Sequence, residues 1–225
     1  MGAMHTSSRP GPDEEPPTPE QLERWHQRMS APENELPAGA GITALLARTD
    51  DAAVGITLVE VFSTGFRFTL AVRLRRSRPD FYGGHLPMLV GNRHPGIEIP
   101  LGDRLLLGIE YADGARASTL QDWRGPAFDD DGLQIHQQGG GGSDRTVDQD
   151  FWVSPLPPEG PVTFVLSWPA FGMPESRTVV DSAPIREAAG RAQELWPPQS
   201  YWEETHEPPP PPPRPETGWF SYPEG

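Results

Sequence analysis

Residues 52–76 read AAVGITLVEVFSTGFRFTLAVRLRR. In the second half of this stretch Phe66, Phe68, Leu70, Val72 and Leu74 alternate with Arg67, Thr69, Ala71, Arg73 and Arg75. A period of two gives a β-strand one buried face and one wet face. The first half is a second apolar run, and Ser63-Thr64-Gly65 joins the two as a three-residue hairpin loop. Such a loop favours Gly at its last position, where the backbone is expected to be left-handed. This register sets Phe62 opposite Phe66, Leu58 opposite Leu70, Ile56 opposite Val72 and Val54 opposite Leu74. It also turns Glu60 towards the apolar face, opposite Phe68, where a carboxylate needs an Arg partner, a rim position or a bulge.

Further strands are expected at 41–48, around 96–100, at 104–112, near 132–137, and at 147–154, 162–168 and 176–181. The clearest are RLLLGIEY, with Leu105, Leu107, Ile109 and Tyr111 on one face before the Asp113-Gly114 turn, and PVTFVLSW, with Val162, Phe164, Leu166 and Trp168 on one face. Eight or nine short strands separated by turns predict a mainly β fold, an antiparallel sandwich of immunoglobulin-like or jelly-roll-like type. One C-terminal helix is expected over 182–196, capped by Asp181 or Ser182 and stopped by Pro197-Pro198. Its apolar stripe is Ile185, Ala188, Ala192, Leu195 and Trp196, which would pack on the sandwich.

Composition divides the 225 residues into three parts. Residues 1–36 and 197–225 hold 16 of the 29 prolines and carry a net charge of -4 each, so both are expected to be disordered. Residues 37–196 hold nearly all of the alternating pattern and are long enough for one core. One helix interrupts the first segment at 19–29: Thr18 is a good N-cap, Pro19 suits the first helical position, and Gln21 completes a capping box. Leu22, Trp25 and Met29 fall on one side of it. Three turns are marginal in water, so that stripe is expected to dock on its own domain or on a partner.

The carboxy-terminal half, from GGGGSDRTVDQDFWVSPLPPEGPVTFVLSWPAFGMPESRTVV to the helix ending LWP, resembles a group of uncharacterised actinobacterial proteins of about this length. GFRFTLAVRLR and GIEYADGARAS extend the resemblance over most of 52–197. Its specific parts are QDFWVSPLPP and WPAFGMPE. It implies a compact β-sandwich-like domain and no particular activity.

Two absences restrict the chemistry. There is no Cys, which excludes disulfides, thiol nucleophiles and Cys-ligated metals, and no Lys, which excludes Schiff bases and the GK[ST] phosphate loop. The net charge of -14 argues against nucleic acid and anionic membrane surfaces as partners. No apolar run approaches the roughly 20 residues that span a bilayer, and the acidic amino terminus lacks a signal-peptide core, so a cytoplasmic location is expected.

Catalytic and cofactor motifs are weak throughout, and no metal or cofactor is expected. Gly139 to Gly142 lack the spacing of a phosphate loop and are expected to be a flexible connection between strands. Asp129-Asp130-Asp131-Gly132 resembles a calcium loop, but aligned on Gly132 it puts Ala127 and Gln138 where acids are required. The six histidines show no metal spacing, although His85 and His94 could meet across a loop. No Ser sits in a G-x-S-x-G elbow.

Two features suggest interaction. Arg67, Arg73 and Arg75 form a basic stripe on the wet hairpin face, suited to an acidic peptide or a phosphorylated ligand unless neighbouring acids balance it. The C-terminal segment joins a polyproline run, Pro208 to Pro213, to Trp219, Phe220 and Tyr222, a short aromatic docking segment on a stiff spacer. The expected function is therefore a non-enzymatic protein-interaction or scaffold protein whose partner is another protein. The alternative is an enzyme or small-ligand-binding sandwich with a site on the loops near His85, His94 and Trp123.

Overall fold

The computed structural model describes residues 18–80, 85–91, 99–120 and 131–197. The fold is mainly β, and among the described residues every strand pairing is antiparallel. In chain order the elements are α1 (Pro19–Met29), β1 (Glu35–Leu36), β2 (Ala38–Gly39), β3 (Ala44–Arg48), β4 (Ala52–Val61), β5 (Phe66–Leu74) and α2 (Leu86–Val90). They continue with β6 (Leu106–Glu110), β7 (Arg116–Ser118), β8 (Gln134–Gly142), β9 (Thr146–Ser154), β10 (Pro161–Trp168), β11 (Met173–Asp181), α3 (Ala183–Ala189) and β12 (Gln193–Glu194).

A six-stranded sheet runs β2-β4-β5-β9-β8, with β3 also on β4, and a four-stranded sheet runs β11-β10-β6-β7. The two share one buried cluster, in which Phe68 of β5 meets Phe164 of β10 edge-on at 5.4 Å. Alternation explains the facing: Phe66, Phe68, Leu70 and Val72 are wholly buried, as are Val54 and Ile56 across from them. The expected apolar faces of 105–111 and 162–168 are likewise buried residue for residue.

The hairpin register differs from the alternation reading. Val54 pairs with Val72 and Ile56 with Leu70, and the ladder slips by one residue between Thr57 and Glu60. Leu58 is pushed out as a bulge with φ 50° and is 70 % exposed, while Val59 and Val61 take inward places. The bulge settles the position of Glu60, which pairs with Arg67 on the outer face. A period of two across 54–62 cannot reveal an extra residue, because both Leu58 and Val59 are apolar. Gly65 lacks a left-handed φ. A Cβ there would lie 2.6 Å from Cζ2 of the Trp152 ring and closer still to the Val153 carbonyl oxygen, so Gly is required by the approach of β9.

Other expectations change at element ends. The C-terminal helix is seven residues long rather than spanning 182–196. Gly190 is a poor helix former, and the chain after it finds backbone partners elsewhere: β12 pairs with β1, and the Leu195 N–H donates to the Asn34 carbonyl at 2.8 Å. Leu195 and Trp196 thus leave the expected stripe and stand 43 % and 53 % exposed. Gly139 to Gly142 belong to β8 rather than to a loop, and the connection is Ser143-Asp144-Arg145. There a Cβ on Gly140 would meet the Asp148 carbonyl oxygen at 2.8 Å, so glycine lets the strands close.

Residues 18–36, expected within a disordered segment, form α1 and β1. The α1 capping box is present as read from the sequence: the Gln21 N–H donates to Thr18 Oγ1 at 3.2 Å, and the Thr18 N–H to Gln21 Oε1 at 2.8 Å. Residues 1–17 and 198–225, the rest of the two expected tails, lie outside the described residues. The strand expected around 96–100 falls mostly outside them too; Ile99 and Pro100 are described and are not in a strand.

Candidate interaction site

The outer face of the six-stranded sheet carries the basic stripe. Arg67 on β5 donates from Nε and Nη2 to Glu60 Oε2 of β4 at 3.0 and 2.6 Å, and its guanidinium lies 5.7 Å from the Phe62 ring centre. Arg73 donates to Asp148 Oδ1 of β9 at 2.7 Å and to the Val147 carbonyl at 3.0 Å. Between them, Thr69 donates from Oγ1 to Asp150 Oδ1 at 2.6 Å. Cross-strand pairing therefore places one acid against each of two stripe arginines. Arg75 is exposed and has no ion-pair partner among the described residues; its N–H donates to the Asp51 carbonyl at 2.8 Å. Farther along, Arg78 pairs with Asp80 at 3.1 Å, and the hydrogen bond from Arg78 holds the Asp80 carboxyl below its ordinary range.

The remaining sequence candidates are dispersed. His85 precedes the short helix α2, which buries Leu86, Leu89 and Val90, and it makes no capping bond with its side chain. His94 and Trp123, its expected companions, lie outside the described residues, as do Asp129, Asp130, Trp219, Phe220 and Tyr222. Asp131 pairs with Arg28 of α1 at 3.0 Å. Among the described residues no group of three or more His, Asp or Glu side chains could hold a metal. Nor is any described helix long and apolar enough to cross a membrane.

The structure assembles a different feature that the sequence did not disclose. A cleft of about 500 Å³ opens between α1, residues 30–35, the hairpin tip Ser63-Thr64 and the end of the described chain at Glu194 and Trp196. Its floor is organised by Glu35, whose carboxylate accepts the Ser63 N–H at 2.9 Å and the Ser63 hydroxyl. Glu23, Glu33 and Glu194 add further carboxylates to the lining. Asn34 Nδ2 donates to the Trp196 carbonyl at 2.8 Å, which fastens the last described residues to the β1 side. Leu36, which pairs with Gln193, is 51 % exposed, and Leu195 and Trp196 are exposed as well. Asn34 and Trp196 are 162 residues apart, and the sequence signal nearest to their meeting is the apolar pair Leu195-Trp196 ahead of two prolines.

No family model matches the chain, and no curated protein matches it.

Proposed function

We propose that the protein is a non-enzymatic interaction protein. On this reading the two antiparallel sheets pack as a sandwich, with α3 against them, to make a rigid platform. Residues 198–225 carry the docking element, with Trp219, Phe220 and Tyr222 held away from the domain by Pro208 to Pro213. The observation that carries the reading is the exposure of two large apolar side chains, Leu195 and Trp196, immediately before the proline-rich segment. Exposed aromatics offer large contact area at small entropic cost, and they recur at interface hot spots. With Arg67 and Arg73 engaged by Glu60 and Asp148, Arg75 is the stripe residue most available to an acidic partner. The reading takes the partner to be another protein and the location to be the cytoplasm, and it sets the chain beside the actinobacterial group that QDFWVSPLPP and WPAFGMPE resemble.

The test uses three forms as bait: the full chain, a form ending at Pro197, and the full chain with Trp219, Phe220 and Tyr222 replaced by Ala. A partner identified with the full chain and then purified should bind the other two at least tenfold more weakly. Equal binding to all three forms would defeat the proposal for the C-terminal segment, and turnover of a substrate by the described domain would defeat the non-enzymatic reading.

A further inference from the structure

A helix ending at Met29 leaves its last carbonyls without intrahelical donors. In α1 those carbonyls point at side chains of the six-stranded sheet. Trp152 Nε1 and Ser154 Oγ, both from β9, donate to the Arg28 carbonyl at 2.9 and 3.0 Å, and Gln138 Nε2 of β8 donates to the Met29 carbonyl at 2.9 Å. The Arg28 guanidinium adds bonds to Asp131 and to the Gly132 carbonyl. Trp152 and Ser154 are themselves almost wholly buried, so they are firmly placed.

Elsewhere α1 is only partly buried. None of its described side chains is fully buried. Clefts of about 500 and 430 Å³ flank it, and both reach from Gln27 to the hairpin tip Ser63-Thr64. Three turns have little intrinsic stability, and the chain that follows, Ser30 to Asn34, contains no helix or strand.

We propose that α1 is a displaceable strap, opening as a unit about residues 30–34 while both sheets stay folded. The strip it uncovers on β8 and β9 is a receptor for the bare carbonyls of a helix C-terminal turn. The occupant in the closed state is α1 of the same chain. Opening leaves Trp152 Nε1, Ser154 Oγ and Gln138 Nε2 without acceptors, and residues 18–34 of a second copy, which carry the same Arg28 and Met29 carbonyls, are the occupant that supplies the same chemistry. This inference concerns a different surface from the C-terminal segment and stands or falls separately.

Hydrogen exchange on the full chain tests it. Amides of residues 22–29 should exchange through an opening that leaves β5 and β9 protected. Arg28→Ala and Ser154→Ala should each speed α1 exchange by roughly 3- to 30-fold, the effect of losing one such interaction, with β5 and β9 amides within twofold of the unaltered chain. A labelled peptide of residues 18–34, which keeps its own Arg28 for Asp131, should bind the Arg28→Ala chain more tightly than the unaltered chain, whose strap competes. Exchange of α1 only together with the sheets overturns the proposal, and so do unprotected α1 amides in the unaltered chain. Equal peptide binding to both chains, or none to either, overturns the receptor.

Discussion

Gly65→Ala should destabilise the protein for a reason that the hairpin sequence does not contain. The added Cβ would sit 2.6 Å from Cζ2 and 2.8 Å from Cη2 of Trp152, and nearer still to the Val153 carbonyl oxygen. Ordinary contact begins near 3.4 Å, so the ring and the strand would both have to give way by almost 1 Å. Neither is free to do so. Trp152 is wholly buried, its ring meets Phe62 edge-on at 5.6 Å, and its N–H is held by Arg28. Overpacking of this kind costs about 1–3 kcal/mol, and a lost indole hydrogen bond adds about 1 kcal/mol. The entropic benefit of replacing Gly returns about 0.4–1 kcal/mol. The net loss is about 2–3 kcal/mol, and a urea m-value near ~2 kcal/mol/M puts the midpoint about 1–1.5 M lower. Gly139→Ala is the control, since a Cβ there has open space, and its midpoint should be unchanged or slightly raised. Gly65→Asn discriminates further. Asn tolerates a left-handed backbone, so a conformational requirement would make Asn milder than Ala, whereas a clash makes it worse. Equal midpoints for Gly65→Ala and Gly139→Ala, or a milder Asn variant, would refute the steric account.

Leu58→Gly should leave stability unchanged or raise it by up to about 1 kcal/mol, because a left-handed Leu is strained and this one is largely exposed; an inward Leu58 would instead cost about 2–5 kcal/mol in thermal or urea unfolding. Thr69→Asp should be destabilising by about 1–2 kcal/mol despite its place on the outer strand face, since Thr69 is 7 % exposed and would set a second carboxylate against Asp150; acid titration should partly relieve the loss, and a stability equal to the parent would refute the pairing. Glu110 sits between Arg116 and Arg177 at 3.1 Å from each; burial raises its carboxyl, but the bonds and charges of the two arginines outweigh that, and the net shift is down from the ordinary value of 4.5. Its contribution is therefore complete above that value and is lost as pH falls through the lower folded one, so Glu110→Gln should flatten the acid limb of the stability-pH curve below about pH 4.5, and an unaltered limb would refute the assignment.

The sequence by itself determined the long strands and most of the inward faces, because burial on a pleated sheet imposes a period of two that Phe66 to Leu74, Leu105 to Tyr111 and Val162 to Trp168 all display. It also determined the start of α1, since the capping box of Thr18 and Gln21 closes over three residues and needs nothing from the rest of the chain. What only the tertiary structure decided are the places where a distant strand competes with a local preference. The bulge at Leu58 turns Glu60 out to Arg67, an outcome equally compatible with the alternating run. β1 captures 193–194 and truncates a helix whose apolar spacing continued to Trp196. β9 brings Trp152 beneath Gly65, which converts a turn glycine into a packing glycine. The acidic cleft and the carbonyl receptor under α1 belong to the same class, being assembled from segments more than 100 residues apart whose chemistry is silent until the sheets bring them together.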